Sequence, residues 1–191
     1  MKILRKIITE FLLGIIVAIL KEGGGKFMEW FVLYVKARHE FVTNGELRKK
    51  GIETFLPSVK KWRQWKDRKK LIDFPLFPGY LFVHRSPNPE ELIKVLKTRG
   101  AVTFISAEPG HPTSVPLEEI HSLRLLVESG KELDIYPHLK EGTWVRVKRG
   151  MLKGAEGILK MKEDQYMFLV NIRLLGRSIG VRIYADDIES T

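Results

Sequence analysis

Between Lys60 and Lys70, seven basic residues and two tryptophans share eleven positions. Ammonium and guanidinium groups seek phosphates, and indoles offer flat faces for base stacking. The run therefore points to nucleic-acid contact through Lys61, Trp62, Arg63, Trp65, Lys66, Arg68 and Lys69. The same residues equally fit a solvated hairpin tip whose tryptophans fold back on a sheet. For catalysis the chain offers little. Its five histidines, His39, His84, His111, His121 and His138, lack metal-ligand spacing. Asp186-Asp187 has no base or glycine loop beside it, and neither a P-loop nor a nucleophile elbow is present. The expectation is a non-enzymatic protein with no metal and no cofactor.

A second concentration of special residues runs from Phe74 to Val83, where aromatics and aliphatics stand among two prolines and a glycine. From Tyr80, aromatic and aliphatic residues alternate, so a strand would present Tyr80 and Phe82 on one face and Leu81 and Val83 on the other. One row would make core and the aromatic row a contact.

The 191 residues suffice for one medium or two small domains. A net charge of +10 favours a polyanionic partner, and the surplus is spread along the chain. The absence of cysteine excludes a disulfide framework and fits a cytoplasmic protein.

The elements that must position these residues begin with Trp30 to Val35, a continuous apolar run of the kind buried on both faces of a sheet. A helix is expected from Arg38 to Lys50, with Phe41 and Leu47 inward and Gly51 as its cap. A strand interrupted by Pro57 covers Ile52 to Val59. Asn88-Pro89 opens a helix that reaches about Thr98, with Glu91 placed for a capping box. Val102 to Ile105 gives another strand. A last helix opens at Pro116, with Leu117, Ile120, Leu123 and Val127 inward. The sum is an α+β sandwich, helices covering a mainly antiparallel sheet.

Residues 1–27 differ from the rest: basic residues precede an apolar run from Phe11 to Leu20 that is too short to span a bilayer. A membrane-surface helix, a signal peptide and a mis-assigned translation start compete, and the expected first residue is Met28. Residues 131–139 read as a linker. Residues 140–191 carry short alternating strands between glycine turns, the pattern of a small SH3-like β-barrel.

Three co-linear blocks, Trp30 to Lys36, Phe77-Pro78-Gly79-Tyr80-Leu81-Phe82-Val83, and Thr98-Arg99-Gly100 followed by Phe104, resemble the N-terminal (NGN) domain of NusG-type transcription factors. Gly142-x-x-Val145-x-Val147-x-x-Gly150-x-x-x-Gly154-x-x-Gly157 resembles a KOW motif. The resemblance implies an NGN domain over residues 28–130 and a KOW domain over 140–191. It implies binding to the β′ clamp helices of RNA polymerase through Phe77, Pro78, Tyr80 and Phe82, with Arg99, Gly100 and Phe104 nearby. By likeness to RfaH-type members, Lys36, Arg38, His39 and Lys49 become candidates for the non-template DNA strand. The family's partner-facing positions in the KOW domain fall on Leu152, Gly154, Gly176 and Arg177, for a ribosomal small subunit, Rho or nascent RNA. Leu152 stands where housekeeping members carry an aromatic, which leans toward a specialised antitermination paralog. RfaH-like members can refold this domain as a helical hairpin, but its β-forming content here favours strands. Two other readings stay open: a ribosome-associated or general RNA-binding KOW protein, and a membrane-tethered protein using residues 1–27.

Overall fold

The computed structural model describes residues 27–65, 67–108, 110–137, 142–162 and 165–190. The expectations placed on residues 1–26, Lys66 and the end of the linker at 138–139 lie outside the described residues. Among the described residues no helix is long and apolar enough to cross a membrane.

Strand β1 (Glu29–Val35) is the centre of the first sheet. It pairs with β5 (Tyr80–Arg85) on one side and with β6 (Ala101–Phe104) and β7 (Ser114–Val115) on the other, while β2 (Glu53–Phe55) pairs with the outer edge of β5. Every ladder is antiparallel. A central strand must be apolar on both faces, which is why Trp30 and Val32 are buried together with Phe31, Leu33 and Val35. The Phe31 face packs with Leu47 of helix α1 (Glu40–Lys49) and with Leu92 and Val95 of α2 (Pro89–Leu96). The Trp30 face meets Ile120, Leu123 and Leu126 of α3 (Leu117–Glu128).

Several expectations are corrected here. Phe82 does not stand on an outer row: β5 lies between β1 and β2 with α3 over its aromatic face, so Phe82 is fully buried, as are Leu81 and Val83. Phe41 is exposed, because α1 turns Glu40, Thr43 and Leu47 inward at i, i+3 and i+7. Leu117 is exposed for the same reason of phase, Ile120, Leu123 and Leu126 forming the buried row of α3. The expected strand around Pro57 breaks into β2 and β3 (Ser58–Gln64), since proline donates no ladder bond. Asn88 caps α2, its Oδ1 accepting from the Glu90 N–H at 2.9 Å.

The C-terminal part is a six-stranded antiparallel sheet: β8 (Asp134–Pro137), β9 (Thr143–Val147), β10 (Glu156–Lys162), β11 (Gln165–Ile172), β12 (Arg177–Ile183) and β13 (Ile188–Ser190). Their spatial order is β13-β9-β10-β11-β12-β8. Residues 134–137, read as linker from the sequence, are therefore strand, paired with β12. Among the described residues no ladder joins β13 to β8, so what the structure shows of the expected SH3-like barrel is its six-stranded antiparallel sheet without ladder closure. Val145, Phe168, Val170, Ile179 and Val181 share one cluster with Ile120, Leu123 and Leu126 of α3. Helix α3 thus lies between the two sheets, its Ser122 Oγ accepting from the Glu156 N–H at 2.9 Å.

Candidate functional site

The turn Phe77–Tyr80 is closed by the Tyr80 N–H donating to the Phe77 carbonyl at 3.0 Å, and Gly79 sits at φ +85°. Proline second and glycine third is the order a type II turn requires, because the third position needs positive φ. The turn is fixed from behind at two points. The Gly79 N–H donates to Glu40 Oε1 at 2.7 Å, and the Gly79 carbonyl accepts from the Val35 N–H at 2.8 Å. Glu40 opens α1 and is itself buried, at the end of the helix where a negative charge is favoured.

Gly100 anchors a second loop to the same place. Its carbonyl accepts from the Lys36 N–H at 2.8 Å, and Thr43 Oγ1 donates to the Arg99 carbonyl at 3.0 Å. At φ +87°, a Cβ on Gly100 would overlap Thr43 Oγ1. The C-terminal end of β1 therefore gathers Pro78, Tyr80, Arg99, Lys36, Arg38 and His39 at one corner. Arg38 holds φ +63°, a left-handed conformation uncommon for a side-chain-bearing residue. Tyr34, 39% exposed, faces Tyr80 with ring centroids 5.4 Å apart.

Of the polymerase-contact candidates, Pro78 and Arg99 are exposed and Tyr80 is half-buried at this corner. Phe77 and Phe82 are core, meeting edge to face at 6.2 Å. Phe104 is core on the opposite side of the sheet, against Phe31 at 5.9 Å. Gly100 is buried and structural. Of the DNA-strand candidates, Lys36, Arg38 and His39 join the corner. Lys49 does not: it lies at the other end of α1, roughly 15 Å away along the helix axis, paired with Glu46 at 2.9 Å. That contact, foremost its hydrogen bond, holds the Glu46 carboxyl below its ordinary range.

The basic run forms β3 and β4 (Lys69–Pro75), a two-stranded sheet of its own joined by a tight loop in which the Trp65 N–H donates to the Arg68 carbonyl at 2.8 Å. Trp62 and Trp65 are 71% and 51% exposed, so neither indole folds back on the protein.

In the C-terminal sheet the partner-facing candidates separate. Gly176 and Arg177 are exposed at the start of β12, Gly154 is half-buried, and Leu152 is buried in the cluster around α3. A side chain immersed in that cluster is core in this arrangement, which corrects its placement on a contact surface.

Four features carried no sequence signal strong enough to single them out: Glu40 under the turn, Thr43 under Arg99, Tyr34 beside Tyr80, and Arg124. The Arg124 guanidinium lies over the rings of Trp30 and Phe55 at 4.9 and 5.2 Å and bonds Glu53 at 3.0 Å. An amphipathic reading of the Glu40 and Tyr34 periods finds them only when helix phase and strand end are already known.

The sequence model of the family described as "Transcription termination factor nusG" matches residues 28–124, just over half of the chain. The chain is similar to the transcription termination/antitermination protein NusG of Chlamydia trachomatis, 25% identical over 177 residues covering 84% of this chain and 91% of that protein. To its counterpart in Chlamydia pneumoniae it is 24% identical over 172 residues, with the same coverage. Among solved structures, one titled "Domain interaction in Thermotoga maritima NusG" covers 86% of this chain and 97% of its own, at 20% identity and a TM-score of 0.49.

Proposed function

Because the chain belongs to the NusG family of transcription termination and antitermination factors, we propose that it acts by binding, holding RNA polymerase with its first sheet and recruiting a further partner with its second. Residues 28–130 are the polymerase-binding unit and residues 140–191 the recruiting unit, joined through 131–139. The polymerase element is the pair of β′ clamp helices. The site works in the cytoplasm, without cofactor or catalysis.

The observation that carries this reading is the Tyr34–Tyr80 pair, in which an exposed ring of β1 meets a half-buried ring at the end of the Pro78-Gly79 turn. Aromatic anchors held by a pre-formed backbone lose little entropy on docking and commonly dominate protein interfaces. Pro78 extends the apolar surface, and Arg99, Lys36, Arg38 and His39 rim it with donors. A cationic rim beside the aromatic anchor suits a surface where a polymerase helix and the displaced DNA strand come close. The recruiting unit offers Gly176 and Arg177 to a ribosomal small subunit, Rho or nascent RNA, and a specialised paralog is the favoured type.

The test is reconstitution. Purified protein should co-elute with core RNA polymerase, and Tyr80→Ala and Tyr34→Ala should abolish co-elution while staying folded, with stability within about 1 kcal/mol of the wild type. Retained binding by both folded variants would overturn the assignment. Binding to ribosomes without polymerase would favour a general RNA-binding KOW protein.

A further inference from the structure

We propose that the β3–β4 hairpin is a single-strand nucleic-acid reader, independent of polymerase docking, which stacks unpaired bases on Trp62 and Trp65 and grips the backbone with the cations around them. The ladder register sorts its side chains. Cross-strand partners share a face, so Trp62 lies beside Leu71 on one face, flanked by the pairs Lys60 with Asp73 and Gln64 with Lys69. The other face carries Arg63 directly opposite Lys70 and, next along, Lys61 opposite Ile72. Like charges directly opposite each other destabilise a hairpin. Neither Arg63 nor Lys70 forms an ion pair among the described residues, although Arg and Lys elsewhere in the chain do. Folding does not account for that juxtaposition; an anion seated between the two does.

The indoles narrow the class of anion. Burial of a tryptophan is worth far more to folding than its exposure, and a two-stranded ribbon has no second layer to cover one. Both remain open to solvent, at the loop end of a ribbon with seven basic and two acidic residues between Ser58 and Pro75. An acidic peptide would meet the charge and leave the rings bare. A duplex presents phosphates but keeps its bases stacked inside. A bilayer surface would need the cations to rim one apolar face, whereas they stand on both faces of this ribbon. An unpaired strand supplies phosphates and free base faces together, and stacking on aromatic side chains accepts any base.

The experiment measures anisotropy of fluorescein-labelled fifteen-nucleotide strands with the full chain, against a duplex of the same length and anionic phosphatidylglycerol vesicles. The single strand should bind at least tenfold more tightly than the duplex. Trp62→Ala and Trp65→Ala, both at exposed positions, should each weaken it about tenfold with an unchanged melting curve. Arg63→Gln combined with Lys70→Gln should reduce the slope of log K against log salt by about 0.7, the value for the one single-strand phosphate seated between them. Ribose and deoxyribose strands run in parallel identify transcript or displaced DNA as the source. Equal or tighter duplex binding, vesicle binding in place of strand binding, or indole variants that bind like the wild type would each overturn the proposal. Because polymerase is absent from this assay, its outcome is separate from that of the co-elution test.

Discussion

The Glu119 carboxylate of α3 accepts from Arg173 Nε at 2.8 Å and from the Arg173 backbone N–H at 3.2 Å, bracing the first unit against the C-terminal sheet. The pair is lopsided, the glutamate side chain 8% exposed and the arginine 69%. Removing the arginine strips a partner from a desolvated carboxylate, whereas removing the glutamate leaves a cation in water. Arg173→Ala should therefore cost more stability than Glu119→Gln, about 1–2 kcal/mol in urea unfolding. Equal losses would show that the carboxylate is better hydrated than its burial indicates.

Tyr80 and Phe82 are two residues apart on β5 and should fail differently. Phe82→Ala empties a site in the core and should cost about 3–5 kcal/mol, read as a large fall in melting temperature. Tyr80→Ala should leave stability within about 1 kcal/mol while polymerase co-elution is lost. A reversed pattern would mean that the contact row had been misplaced.

Glu40 ties the helix start to the Pro78-Gly79 turn, and Glu40→Ala strands the buried Gly79 N–H. The expected loss is about 1–3 kcal/mol, with faster amide exchange at Gly79 as its local signature. Wild-type protection at that amide would contradict the tie.

Acid should weaken the Glu53 cluster. Burial pushes the Glu53 carboxyl up, but hydrogen bonds from Arg124 and His84 outweigh it, and the net shift is downward. A carboxyl whose folded value is depressed stabilises the fold above the ordinary carboxylate range and loses that contribution as pH falls through the folded value. Stability of the wild type should therefore fall more steeply than that of Glu53→Gln below about pH 4.5. The difference at neutral pH is under about 1 kcal/mol, because the side chain is half exposed and screened. Parallel pH–stability curves would remove the cluster's role.

Much of this architecture is legible in the residues. Trp30 to Val35 announces a central strand by being apolar at every position, and Pro78-Gly79 specifies its turn by φ alone. What stayed hidden depends on neighbours distant in sequence. Alternation at Tyr80 to Val83 cannot tell a half-exposed strand from one enclosed by β1, β2 and α3, so Phe82 reads as contact until the layers are known. Leu152 looks like a surface position for the same reason, its cover coming from a helix some thirty residues earlier. Asp134 to Pro137 has the composition of a linker, and only the free edge of β12 makes it a strand. The candidate site divides similarly. The chemistry of the Lys60–Lys70 run is plain in its residue types, whereas the outward aim of its tryptophans belongs to the ribbon geometry.

Helix α3 has one further consequence, set by the direction of protein synthesis. The ribosome delivers α3 before any residue of β9 to β13 exists, so a nascent chain that has just finished its first sheet carries a helix already apolar on the side reserved for the second. Residues 143–190, which carry β9 to β13, are still untranslated at that moment. Until they emerge, Ser122 and Glu119 lack Glu156 and Arg173 as partners, and the second sheet completes the packing of a helix made before it.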